Sequence, residues 1–181
     1  MLKTIQFLIK EHAMLTMYDF TIPPLTLTLT NLSQILKKGE AYAKAKEVDP
    51  SILVESRLYI DMYPLKRQIQ IATDMSKGAA ARLAGIEIPV YEDNETTFDD
   101  LQARIEKTIA FLDSVTPQQF EGSESKQVTI TIRKVDIHFS GLDYLQKWVL
   151  PNVYFHVTTA YNILRHQGVE LGKSDFLGPR K

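Results

Sequence analysis

The stretch from Ser140 to Gly168, SGLDYLQKWVLPNVYFHVTTAYNILRHQG, decides how the rest of the chain is read. Ser140 with Asp143 three residues on opens a helix in the manner of a capping box, and Gly168 closes it. Pro151 lies inside and removes one backbone hydrogen bond, which predicts a kink that leaves room for a pocket. At about 100° per residue, with His156 set at zero, Leu145, Val149, Ala160 and Ile163 fall close to it, so His156 sits near the middle of the apolar stripe and is predicted to point inward. Asn152, one turn earlier, shares that face. A buried imidazole and amide need hydrogen-bond partners, since an unpaired polar group in a core costs roughly 1–3 kcal/mol. Either these two satisfy one another and their neighbours, or they form a site.

Upstream the period changes. Val128, Ile130 and Ile132, then Val135, Ile137 and Phe139, alternate across Arg133-Lys134 and read as a hairpin, although that turn lacks the Asn or Gly a tight turn prefers. Before it, Phe98, Leu101, Ile105, Thr108, Leu112 and Val115 form the inner stripe of a helix capped by Thr96 or Thr97, with Asp99 and Asp100 in the first turn. Another helix runs from about Met62 to Ala84, with Pro64 near its start, Gly85 as its stop, and Met62, Leu65, Ile69, Ala72, Met75, Ala79 and Leu83 as core positions. Its small residues from Gly78 to Ala81 imply close helix contact. In the first helix Pro23-Pro24 occupies the first turn, and Leu25, Leu29, Leu32, Leu36 and Ala43 recur at helical spacing. The Leu-Thr alternation from Leu25 to Thr30 also fits a short strand, but Leu32, Ile35 and Leu36 continue the wider spacing. The expected fold is all-α: an antiparallel four-helix bundle with a small β-hairpin inserted before the last helix. Residues 17–181 form one domain, and residues 1–16 are read as an N-terminal extension.

The composition agrees with a self-sufficient core. The chain has 181 residues, 44% hydrophobic and 24% charged, with 21 Lys and Arg against 22 Asp and Glu and no cysteine. A chain of this size buries roughly 70% of its unfolded surface without a staple. The balanced charge, with cationic runs no longer than Lys37-Lys38, Lys66-Arg67 and Arg133-Lys134, argues against nucleic acid as a partner. Zero cysteine removes disulfides, thiolate metal sites and thiolate nucleophiles. No apolar run approaches the roughly 18 residues of a membrane span, and the first ten residues lack a cleavage site, so a cytoplasmic protein with no membrane partner is expected.

Site chemistry narrows to a few residues. His156 and Asn152 are the first ligand-binding candidates. Trp148 joins them through the aromatic line Tyr144, Trp148 and Phe155, roughly 80–140° round the helix from His156. That line packs on the hairpin or a neighbouring helix, forms a dimer face, or walls an apolar pocket. Asp74 suits His156 chemically but points away from its helix's stripe, which places Met75 on the inner face. Asp61 reads as a helix cap. His138 shares the outer face of the hairpin with Asp136, His166 lies in a last helical turn where a cation favours the dipole, and His12 falls in the extension. No HExxH, paired histidines one turn apart, nucleophile elbow or phosphate-cradling glycine loop is present.

The stretches from Asp61 to Asp74, Lys77 to Gly85 and Tyr154 to Gly168 resemble a domain-of-unknown-function family among the DinB-like helical bundles, and the resemblance covers residues 17 to 178. It implies a four-helix bundle, commonly dimeric, often with a divalent metal on three histidines: one from the second helix and two, one turn apart, from the last. Some members of the group perform thiol transfer or small-molecule isomerisation. His156, followed by Leu164, Arg165 and Gly168, is similar to the group's second metal histidine and its Leu-Arg-x-x-Gly ending. Carried over residue by residue, Asn152 stands where the other last-helix histidine would be, and the second-helix position falls near Asp74-Met75. One ligand of three survives. The expectation is therefore a small-molecule-binding or stress-related accessory protein, a homodimer with a degenerate pocket around His156 and no cofactor. The alternatives are a metal-dependent or histidine-based transferase or isomerase, with any divalent ion on His156 and Asp74, and a purely structural dimeric interaction protein.

Overall fold

A computed structural model describes residues 15–179. The expected N-terminal extension, with His12, lies almost wholly outside these residues. The chain runs through α1 (Met17–Ala45), α2 (Pro50–Glu55), α3 (Leu65–Ala84), α4 (Phe98–Asp113), the hairpin β1 (Gln127–Ile132) and β2 (Val135–Ser140), α5 (Gly141–Asp143), α6 (Leu150–His166) and α7 (Lys173–Leu177). The long helices α1, α3, α4 and α6 form the antiparallel bundle. Helix α3 packs between α4 and α6, and α1 closes the other side against α4 and α6. Leu25, Leu29, Leu32 and Leu36 of α1 meet Leu65, Ile69 and Leu83 of α3, Leu101 and Ile105 of α4, and Val153, Ala160 and Ile163 of α6 in one buried core.

Three local readings shift. Helix α1 begins two turns before Pro23-Pro24, because Thr16 and Asp19 form the capping box that sets its start. Thr16, read as the end of the extension, is thus the first residue of the domain's own helix cap. The prolines leave the carbonyls of Asp19 and Phe20 without their helical donors; both residues are exposed, so water can satisfy those groups. The Leu-Thr alternation is helical: Thr28 and Thr30 donate their hydroxyls to the carbonyls of Pro24 and Thr26. Helix α3 starts at Leu65 rather than Met62, with Pro64 at its cap. Short elements α2, α7 and the 3₁₀ turn Pro117–Phe120 carry too few residues for a period to be read.

Strands β1 and β2 pair antiparallel, with Ile132 opposite Val135, leaving Arg133-Lys134 as a two-residue turn. Both turn residues have positive φ, 48° and 68°, the geometry that matches strand twist although neither is Gly or Asn. Val128 and Ile130 face the bundle, while Thr129 and His138 pair on the outer face at 2.9 Å. Ser140 caps the returning helix by accepting from the Asp143 amide. The adjoining Gly141 is required by packing: a β-carbon there would lie 1.8 Å from the Ser123 carbonyl oxygen.

In place of a simple kink, the helix widens. Tyr144–Val149 is π-helical, with Leu150 N–H donating to Leu145 five residues back, and Pro151 follows in the first turn of α6. The wider turn makes room for a ring that would otherwise strike the carbonyl four residues back.

Candidate functional site

His156 lies on α6 against α3, half-buried rather than enclosed. Its Nδ1 is 2.7 Å from Gln68 Oε1, and Gln68 is itself buried in the apolar stripe of α3. The Gln68 amide cannot be turned round, because its Nε2 donates to the Tyr63 carbonyl at 2.9 Å. Its oxygen therefore faces the imidazole, and Nδ1 carries the proton. In the neutral ring Nε2 is then a lone-pair acceptor. Among the described residues it has no partner, and it is not among their buried polar atoms left without one, so it meets accessible space. Burial pushes the imidazole below its ordinary value of 6.5, and the Arg67 charge adds to that shift. The ring is neutral at pH 7, with one nitrogen fixed as donor and the other open.

The other sequence candidates separate from this group. Asn152 turns along its own helix and donates to the Trp148 carbonyl at 2.7 Å rather than reaching His156. Trp148 is half-buried and, with the fully buried Tyr144, packs on Phe139 of the hairpin at centroid distances of 6.2 Å. Burial raises the Tyr144 hydroxyl above its ordinary range, and Arg82 donates to it at 3.1 Å. Only Phe155 of the aromatic line stays exposed, edge-on to His156 at 5.3 Å. Met75 packs half-buried on the core. Asp74 accepts from Lys77 at 2.6 Å and from Arg104 at 2.8 Å, in the seam between α3 and α4. The residue that α3 brings to His156 is Gln68, not Asp74 or Met75.

That second seam holds chemistry the sequence reading did not single out. Arg104 is buried on α4, where it makes four hydrogen bonds and pairs with three carboxylates. Nε reaches Thr73 at 2.8 Å, and Nη1 reaches the Glu92 carbonyl at 3.0 Å and Glu95 at 2.8 Å. Nη2 lies 2.8 Å from Asp74 and 3.1 Å from Asp93. Gln70 donates to the other Glu95 oxygen at 2.8 Å, and Arg67 bonds both Gln70 and Asp93. Tyr91 lies within this group, with Lys77 and Lys107 each 4.2 Å from its ring, and burial raises its hydroxyl. The available signal was Arg104 itself: it falls three residues after Leu101, on the buried side of α4, and follows the acidic stretch Glu92–Glu95, which supplies its partners.

The residues around His156 do not fit the three-histidine metal centre that the resemblance implies. Helix α6 offers one imidazole, the Gln68 amide is engaged at both ends, and Asn152 is held by Trp148. Among the described residues no three His, Asp or Glu side chains converge in a metal-binding group. No helix there is long and apolar enough to cross a membrane.

Comparison with known proteins agrees with the fold. Residues 17–177 match the family described as domain of unknown function DUF1993. The chain is also similar to the crystal structure of a DinB family member protein from Shewanella denitrificans, with 39% identity over 90% of this chain and 92% of that one and a TM-score of 0.85. No curated protein matches.

Proposed function

The chain belongs to the DUF1993 family, within the DinB-like proteins, and from that premise we propose that it is a small-molecule-binding accessory protein whose site is centred on His156 and works without a metal ion. The observation that carries this reading is the oriented Gln68 amide, which fixes the imidazole as an Nδ1–H donor and leaves Nε2 open. A ligand with a hydroxyl or N–H donor is the natural complement of that nitrogen. The same nitrogen, neutral at pH 7, is suited to accept a proton as a general base, which supports a histidine-based enzyme as the second reading.

Two measurements test the proposal. Protein made without a histidine tag, loaded with equimolar zinc or nickel and dialysed, is expected to retain no ion; one ion per chain would end the metal-free reading. A small-molecule screen read by the His156 side-chain ¹⁵N resonances is expected to give hits that move Nε2 and vanish in His156→Ala. Hits that bind His156→Ala equally well would place the site elsewhere. Turnover of such a hit, lost in a stably folded His156→Ala protein, would decide for the enzyme.

The reading includes a homodimer. Phe155 is exposed, as are Tyr59, Ile60 and Tyr63 of the loop leading into α3, and exposed apolar side chains of this size support a second copy as partner. Light scattering at tens of micromolar is expected to give the mass of two chains, and a monomer there would remove this part.

A further inference from the structure

Away from the α3–α6 seam, α7 forms one wall of a cleft of about 460 Å³ with α1 and α6, lined by Pro24, Leu27, Asn31, Tyr154, Phe176 and Leu177. Leu27 is 54% exposed, Tyr154 41% and Leu177 48%, so three separate elements turn large apolar side chains toward one open cleft. The wall is fixed in place. Lys38 pairs with Asp175 at 2.7 Å, and Asn31 Nδ2 donates to the Phe176 carbonyl at 3.0 Å. Gly178, at φ 78°, sits so close to Asn31 that a β-carbon would lie 2.6 Å from its Oδ1.

A second cleft of about 550 Å³ adjoins the first, sharing Asn31 and Leu177, and is lined by Lys38, Lys173 and Asp175. Asp175 is matched by Lys38, whereas Lys173 has no carboxylate partner among the described residues. An apolar trough therefore opens onto a patch with one surplus positive charge. We propose that this double cleft binds an amphiphilic monocarboxylate, its alkyl or aryl tail between α1, α6 and α7 and its carboxylate at Lys173. The charge at one end and the apolar lining at the other select this class over neutral apolar molecules and over compact polyanions. The inference is independent of the His156 site.

Amide NMR titration of the full chain with decanoate, kept below its micelle-forming concentration, tests it. Saturable shifts confined to α1, α6 and α7 are expected, with octanoate binding more weakly, since each buried methylene is worth about threefold to fourfold in affinity. Leu27→Glu should abolish binding, and Lys173→Glu should weaken decanoate about tenfold while leaving decanol unchanged. Both residues are exposed, and an unaltered melting curve verifies that the variants fold. Absence of saturable shifts, or wild-type affinity in Leu27→Glu, would overturn the site. Decanol binding as tightly as decanoate would overturn the carboxylate assignment, and binding to anionic vesicles without decanoate binding would reassign the surface to a membrane.

Discussion

Helix α3 carries polar side chains into two seams, and the seams differ in how completely those groups are used. Toward α4, Arg104 makes four hydrogen bonds, to Thr73, the Glu92 carbonyl, Glu95 and Asp74, and an ion pair with Asp93. Toward α6, His156 has one ring nitrogen engaged by Gln68 and the other open. The α4 seam holds more charge, yet its buried arginine is spent on the protein's own acceptors. Its product is position: it ties the segment from Tyr91 to Glu95 onto α3 and α4. The α6 seam holds less and keeps something in reserve. A buried guanidinium spent on the protein's own acceptors marks the scaffold, and a half-buried ring with one nitrogen open marks the candidate site.

The contrast is broken most directly at Arg104. Arg104→Met leaves Glu95, whose side chain is only 8% exposed, without its cation, and should cost about 3–5 kcal/mol in urea unfolding. The double variant Arg104→Met, Glu95→Leu should recover much of that loss, because it removes the stranded charge as well. A loss below about 1 kcal/mol for the single variant would mean that water reaches the carboxylates, and the α4 seam would then be no more structural than a surface ion pair.

The long helices and the hairpin were legible because each buries a stripe with its own period, and the caps at Thr97 and Ser140 act through adjacent residues. The start of α1 was misread because two prolines are a strong local signal, whereas Thr16 and Asp19 make a quieter one that governs the end. His156 was legible as the polar residue in a stripe. Gln68 and Arg104 interrupt their stripes in the same way, but their meaning depends on what stands opposite, and a wheel drawn for one helix carries no register between helices. The same gap explains Asp74: its direction away from the α3 stripe was readable, and its partner on α4 was not.

At His156 the expected effects are smaller. His156→Ala should cost about 1 kcal/mol, since the ring is half-buried and contributes one hydrogen bond. A loss as large as that at Arg104 would erase the difference between the seams and point to a structural histidine. The pH dependence has a definite sign. The folded state lowers the imidazole below 6.5, so the unfolded chain binds the proton more readily between the two values. Stability attributable to His156 is therefore full above that window and falls as pH drops through it. Relative to His156→Gln, the natural protein should lose stability from neutral pH downward until the folded imidazole itself titrates. Gln68→Glu sharpens the point: a carboxylate facing Nδ1–H favours the imidazolium, so the His156 titration followed by NMR should move upward. No movement would mean that Gln68 does not govern the ring.

The smallest effect tests whether the seams are separate at all. Arg67 belongs to both: it bonds Gln70 and Asp93 in the α4 seam, and its charge disfavours a proton on His156. Burial is the larger cause of the His156 shift, so Arg67→Gln should raise the titration only slightly, by less than Gln68→Glu does. Asp93 keeps Arg104 at 3.1 Å in that variant, so the scaffold should hold. The decisive reading is a cycle in which Arg104 and Arg67 are replaced singly and together while the His156 titration is followed. Independent seams predict that Arg104→Met leaves the titration where it was, with or without Arg67. A shift on Arg104→Met that disappears once Arg67 is Gln would instead show the freed Asp93 drawing Arg67 to a new position, so that the filled seam sets the charge felt by the open one.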